Sequence, residues 1–166
     1  IHVQWDDSTA DSLISAADQS LSDSTSKLDT SGKINPEKVI LGLPPDWIES
    51  DKITPTRLQL IKSLSAKLSL RPVGYVITPE SAVKYIHSTE GVPPTAILLG
   101  FWPHFVEVTL VRLGKVAGSH EVARSHQPAN DVTEGLTRFT GIDMLPSRML
   151  LYDSGLDLEE IKQQLL

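Results

Sequence analysis

Thr95-Ala96-Ile97-Leu98-Leu99, Phe105-Val106-Glu107-Val108-Thr109-Leu110-Val111 and Val116 to Ala123 form the stretch on which the fold turns. The first run is continuously apolar and the second alternates. Arg112-Leu113-Gly114-Lys115 reads as the turn that leads into the third, extended run. Three consecutive antiparallel strands are therefore expected. Downstream, Asn130-Asp131 can cap a helix reaching Phe139, and Arg148 to Tyr152 is a buried strand stopped by Asp153-Ser154-Gly155. A last helix presents Leu158, Ile161 and Leu165 on one face behind an acidic start.

Upstream the rhythm is different. Ile1 to Trp5 reads as a short strand, and a helix with the stripe Leu13, Ile14, Ala17 and Leu21 follows Asp6 to Thr9. Ser20 to Lys33 is rich in Ser, Thr and Asp and reads as a loop or frayed helix end. Val39 to Leu43, closed by Pro44-Pro45, has the pattern of a strand buried on both faces, as does Val73 to Ile77. Thr54-Pro55 and Thr78-Pro79-Glu80 open two helices, ending near Leu70 and His87. The best internal boundary is Ser88 to Pro94, with Gly91 and two prolines. Strand, helix, strand, helix followed by hairpins predicts an α/β fold with mixed sheets.

The chain has 166 residues, 40% of them hydrophobic and 22% charged, enough for one full core. No apolar run approaches the roughly 18–20 residues of a spanning helix, and no N-terminal segment reads as a signal peptide, so direct membrane insertion is not expected. Residues 1–50 hold nine acids and three bases, whereas residues 51–166 hold twelve of each, so the whole net charge of −6 lies in the first third. Neither part supplies the basic face that a grip on nucleic acid needs, which makes nucleic acid a poor partner. The absence of cysteine removes disulfides, thiol nucleophiles and thiolate metal sites and fits a reducing, cytoplasmic compartment. The sequence begins at Ile1 rather than at methionine, which reads as a piece of a longer or trimmed chain.

In order and spacing these segments resemble the middle of the actin-like ATPase superfamily, which has a ribonuclease-H-like fold. The likeness is nearest to the bacterial actin homologues of cell division and type IV pilus assembly, and more distant to the heat-shock chaperone ATPases. Val39 to Trp47 looks like the strand and proline-containing loop near the phosphates. Arg57 to Ile77 with Thr78 to Val83 is similar to the chaperones' strand, Glu-Pro pair and small-residue helix. Ile97 to Lys115 has the length of the second phosphate hairpin, and Asp153-Ser154-Gly155 stands at the adenosine turn. The resemblance implies a partial two-lobe architecture: residues 1–90 as the remainder of one lobe, with the acidic, Ser-rich part at 1–38, and residues 91–166 as the βββαβα opening of the second.

The family's phosphate loop reads Asp-x-Gly, an acid for the metal and a glycine for backbone approach to phosphate. Aligned on Gly114, this chain has Gly100 in place of the acid and Trp102, followed by Pro103, in place of the glycine. The resemblance thus makes Gly100, Trp102, His104, Ser154 and Gly155 remnants of nucleotide loops. The family's first phosphate hairpin is not found in residues 1–38. These departures imply a non-catalytic interaction or scaffold module in a bacterial assembly, with no cofactor and with a protein partner or a second copy as its ligand. The alternative is a piece of a working ATPase, binding ATP with magnesium, whose other phosphate loop lies outside this chain. A third reading is an unrelated α/β domain.

Other chemistry finds little support in the residues. The five histidines have no helical i,i+4 ligand spacing, and Asp6, Asp7, Asp11 and Asp18 lack an EF-hand's glycine and terminal glutamate, so no metal site is expected. Gly-x-Ser-x-Gly, Gly-x-Gly-x-x-Gly and P-loop patterns are missing. Phe101-Trp102-Pro103-His104-Phe105 is the most unusual word. Phe101, Trp102 and Phe105 either lid the core or anchor a partner, and Trp47 faces the same choice. On the family reading both loops point at the nucleotide cleft and would plug it.

Overall fold

A computed structural model of the chain describes residues 3, 9–28, 35–102, 104–152 and 158–165. It has two compact units, Ile1–Ile77 and Thr78–Leu166. Ile1 to Trp5, apart from Val3, lies outside the described residues.

In the first unit, the first element among the described residues is helix α1 (Ala10–Leu28), whose Ser12 amide donates to Thr9 Oγ1 at 3.3 Å. The helix continues to Leu28, into the Ser/Thr-rich segment expected to be a loop or a frayed helix end. Ser24 and Thr25 turn their hydroxyls back onto the carbonyls of Ser20 and Leu21, at 2.7 and 3.0 Å, so these side chains satisfy themselves inside the helix instead of competing with it. Strand β1 (Lys38–Leu43) leads into a 3-10 turn (Pro45–Trp47) and a miniature hairpin, β2 (Ile48–Glu49) and β3 (Lys52–Ile53). That hairpin carries no glycine signal: Ser50 and Asp51 themselves take positive φ, 49° and 60°. Helix α2 (Pro55–Lys67) then crosses back to β4 (Arg71–Ile77), which pairs in parallel with β1 at Leu41↔Tyr75 and Leu43↔Ile77. The core is Leu43, Trp47 and Ile61, with Leu13, Leu41, Ile53 and Leu60 packed against it.

The expectation that both parallel strands are buried on two faces is not met. Helices α1 and α2 supply the core on the Leu41 and Leu43 side, while Ile40 is 65% exposed on the other face and Val73 on β4 is 55% exposed. Hydrophobic content alone does not say how many layers cover a strand.

The second unit holds α3 (Thr78–Glu90), β5 (Ala96–Phe101), β6 (Phe105–Arg112), β7 (Lys115–Ala123), α4 (Pro128–Thr137), β8 (Met149–Tyr152) and α5 (Leu158–Leu165). The strand order is β7-β6-β5-β8, antiparallel through the hairpins and parallel where β8 joins β5 after α4. The expected βββαβα sequence is present, and its strand order is that of a ribonuclease-H-like sheet. The β6–β7 turn places Leu113 and Gly114 at φ 49° and 74°, which matches the sheet's twist.

One face of this sheet (Ile97, Leu99, Phe101, Val106, Val108, Leu110, Val122) packs on Val132 of α4 and Ile161 of α5. Across it, Leu98 and Val111 pack on Val83 of α3. Helices on both sides explain why β5 is buried along its whole length. They also explain why the division falls at Ile77 and Thr78, one helix before the proline-rich segment where the sequence suggested a boundary. Pro93-Pro94-Thr95 is packed against the hairpin turn: Gly114 N donates to Pro94 O at 2.7 Å and Leu113 N to Thr95 Oγ1 at 3.0 Å.

Helix α4 starts at Pro128 behind Gln127 rather than at Asn130-Asp131. Asp131 is 4% exposed and reaches back to accept the Ser125 amide and hydroxyl at 2.8 and 2.6 Å, which pins the chain leaving β7. No helix among the described residues is long and apolar enough to cross a membrane.

Candidate functional site

The end of β5 carries the predicted nucleotide-loop residues, and the sheet register decides what surrounds them. Gly100 pairs with Glu107 on β6 and with Tyr152 on β8, while Glu107 pairs with Glu121 on β7. One row therefore runs Tyr152, Gly100, Glu107, Glu121 across four strands. The adjoining row is Leu150, Leu98, Thr109, Ser119.

Side chains of these rows join into a buried polar chain. Tyr152 Oη donates to Glu107 Oε2, and Ser119 Oγ donates to Glu107 Oε1 at 3.1 Å. Because the single Ser119 proton is directed at the carboxylate, the 2.7 Å contact between Thr109 and Ser119 has Thr109 as donor. Glu107 is 2% exposed and Thr109 fully buried, and hydroxyl donors offset the cost of placing a carboxylate there. Burial, and then the adjacent Glu107 charge, push the Tyr152 phenol far above its ordinary range, so it stays protonated and remains a donor.

Gly100 makes this arrangement possible. A β-carbon at residue 100 would stand 2.5 Å from Tyr152 Oη and 2.6 Å from Cζ. No side chain fits there while Tyr152 crosses to Glu107. The position where the resemblance implies a metal-holding acid is thus filled from a neighbouring strand.

The hairpin tip is closed in a similar way. Trp102 N donates to Phe105 O at 2.9 Å, and the two rings stack with centroids 5.7 Å apart. Arg124 holds the tip from outside, with Nη1 on Trp102 O at 3.1 Å and its amide on His104 O at 3.0 Å. A phosphate cradle needs several backbone N–H groups facing one point. Here the Trp102 N–H is spent within the hairpin, and proline at 103 has none to offer. Trp102 Nε1 is buried and has no hydrogen-bond partner among the described residues.

Of the predicted partner anchors, Phe101 is fully buried and Trp47 is 7% exposed in the first unit's core, with the Arg57 guanidinium 4.8 Å above its ring. Neither presents a surface to a partner, because each is consumed by its own core. Trp102 and Phe105 are half-buried and His104 is exposed. Ser154 and Gly155, together with Pro103, lie outside the described residues. Among the described residues no three His, Cys, Asp or Glu side chains gather to hold a metal, and His120 packs edge-on against Phe139.

Tyr152, Glu107, Thr109 and Ser119 were not singled out from sequence. The available signal was Glu107 and Thr109 at alternate positions of an otherwise apolar strand, a polar stripe on one face.

No protein-family model matches the chain, and no curated protein matches it. Among solved structures it is similar to the ethanolamine utilization protein EutJ from Carboxydothermus hydrogenoformans, with 13% identity over 64% of this chain and a TM-score of 0.39. It is also similar to an exopolyphosphatase-like protein, with 11% identity over 77% of this chain and a TM-score of 0.33. The chain spans 35% and 46% of the lengths of those two proteins. At such scores the likeness carries no chemistry. The fold itself is read from the chain's own strand order, β7-β6-β5-β8.

Proposed function

We propose that this chain is a non-catalytic interaction module of actin-like fold, its two units pieces of two lobes, acting as a scaffold in a bacterial assembly of the kind the sequence resemblance implies. The observation that supports this reading is the crossing of Gly100 by Tyr152, which denies space to a metal-holding acid and engages the nearest buried carboxylate, Glu107, in hydrogen bonds. The hairpin tip adds a stacked Trp102–Phe105 pair where phosphate would approach. The ligand is then a protein surface or a second copy rather than a nucleotide.

A second reading, ATP with magnesium held by a longer polypeptide, draws on Glu107, which keeps a carboxylate in the same cross-strand row. Isothermal titration of magnesium ATP into the longest natural polypeptide containing this chain separates the two. Absence of heat, with no gain in Tyr152→Phe, agrees with the interaction module. Micromolar binding that is lost in Glu107→Gln overturns it.

A further inference from the structure

The β1–β4 pair of the first unit leaves one edge of β4 unpaired among the described residues. A groove of about 480 Å³ is lined by β4 and helix α2. One wall is helix α2, through Leu58, Ile61, Lys62 and Ser65, the i, i+3, i+4, i+7 stripe of a single helix face. The other side is Pro72, Val73, Gly74 and Tyr75 of β4, with Leu41 of the paired strand β1 and Ile53 of β3, so the groove lies between α2 and the β1–β4 pair.

Natural edge strands are guarded by charge, proline or a bulge. Strand β4 has such guards only toward its start, Arg71, Pro72 and the bulge at Val73 where its register with β1 skips a residue, and from Gly74 to Ile77 it is Gly-Tyr-Val-Ile with no charge. Gly74 has open space where a β-carbon would be. The groove has one charged residue in its lining, Lys62, and none of the ion pairs of the described residues involves it. Ser65 Oγ, in the same wall, is buried with no hydrogen-bond partner among the described residues.

From these features we infer that the β4 edge is a strand-addition site for an extended partner peptide. Its main chain pairs with Val73–Ile77, its alternate apolar side chains enter the groove against Leu58 and Ile61, and an acidic residue meets Lys62. Backbone pairing supplies affinity and the groove supplies selectivity, as in strand-addition recognition generally. The charge of the occupant follows from complementarity to Lys62, the charged residue of the lining, which no ion pair among the described residues engages. The site lies wholly in the first unit, so it stands or falls independently of the Tyr152–Glu107 arrangement.

The test uses the full chain and a panel of synthetic alternating peptides of about seven residues, the length of an ordinary strand. Val, Ile, Leu or Tyr occupies every second position, with Glu, Gln or Lys between. Fluorescence anisotropy is expected to rank Glu peptides above Gln and Gln above Lys, with new hydrogen-exchange protection confined to Val73–Ile77. Lys62→Glu, at an exposed position, is expected to weaken the Glu peptides about five-fold or more and to invert the ranking. Val73→Lys, which guards the edge, is expected to abolish binding of all of them. No binding across the panel, binding indifferent to both substitutions, or protection elsewhere overturns the inference. So does a dimer in sedimentation that Val73→Lys dissolves, because the occupant is then a second copy.

Discussion

Tyr152 lies across Gly100, its hydroxyl 2.5 Å from where a β-carbon at residue 100 would stand, and donates to the Glu107 carboxylate on the far side. Glycine, phenol and carboxylate form one unit, and no member can be changed without cost to the others. Gly100→Ala is expected to displace the ring and leave a buried carboxylate short of a donor. The expected loss of stability is about 2–4 kcal/mol, read from urea unfolding. Gly100→Asp costs more, because it adds a second charge beside Glu107.

Removing only the hydroxyl gives a pH signature. Tyr152→Phe is expected to lose about 1–3 kcal/mol at neutral pH, because Glu107 loses one donor. The folded phenol holds its proton above the ordinary value of 10.0, so in alkali the folded state binds more protons than the unfolded chain. The phenol's contribution is full below pH 10 and disappears as pH rises beyond it. Wild type should therefore lose stability above pH 10 faster than the variant, by up to about 1.4 kcal/mol per pH unit. Parallel alkaline limbs would refute the assignment.

Helix α4 approaches β6 through Gly135. A β-carbon there would meet Val108 Cγ2 at 2.5 Å and Cβ at 3.0 Å, and a β-branched valine in a packed strand has little freedom to turn away. Alanine normally improves a helix by about 1 kcal/mol over glycine. Gly135→Ala is nonetheless expected to destabilise by about 1–3 kcal/mol, through overpacking. Adding Val108→Ala should recover part of that loss, and a double-mutant cycle by thermal unfolding measures the coupling.

Arg148 clamps Glu90 with both guanidinium nitrogens, tying the end of α3 to the start of β8. The Arg148 hydrogen bonds hold the Glu90 carboxyl below its ordinary 4.5. Stability from this pair is present above that value and is lost as pH falls through the lowered one. The stability difference between wild type and Glu90→Gln should shrink steadily on acidification, as measured by urea midpoints between about pH 6 and pH 3.

Much of the second unit was legible in the sequence. The apolar run at β5, the alternation at β6 and the Leu113-Gly114 turn are local signals, and local signals suffice for a hairpin. The first unit was harder to read. The Ser50-Asp51 turn has no glycine, and α1 continued through a serine-rich segment because its hydroxyls found their own carbonyls. The candidate site was half legible. Gly100 and Trp102 stood out as departures from a phosphate loop, but the aromatic word left lid and anchor open, and only burial decided for Phe101 and Trp47.

By itself, the sequence determined the βββαβα succession of the second unit, because periodicity and turn signals act over a few residues at a time. Tertiary structure alone decided that Tyr152 and Glu107, 45 residues apart, meet across Gly100. It also decided that, among the described residues, β4 keeps one edge unpaired and shares a groove with α2. Both depend on sheet register, a relation between distant strands to which no single stretch of chain holds the key.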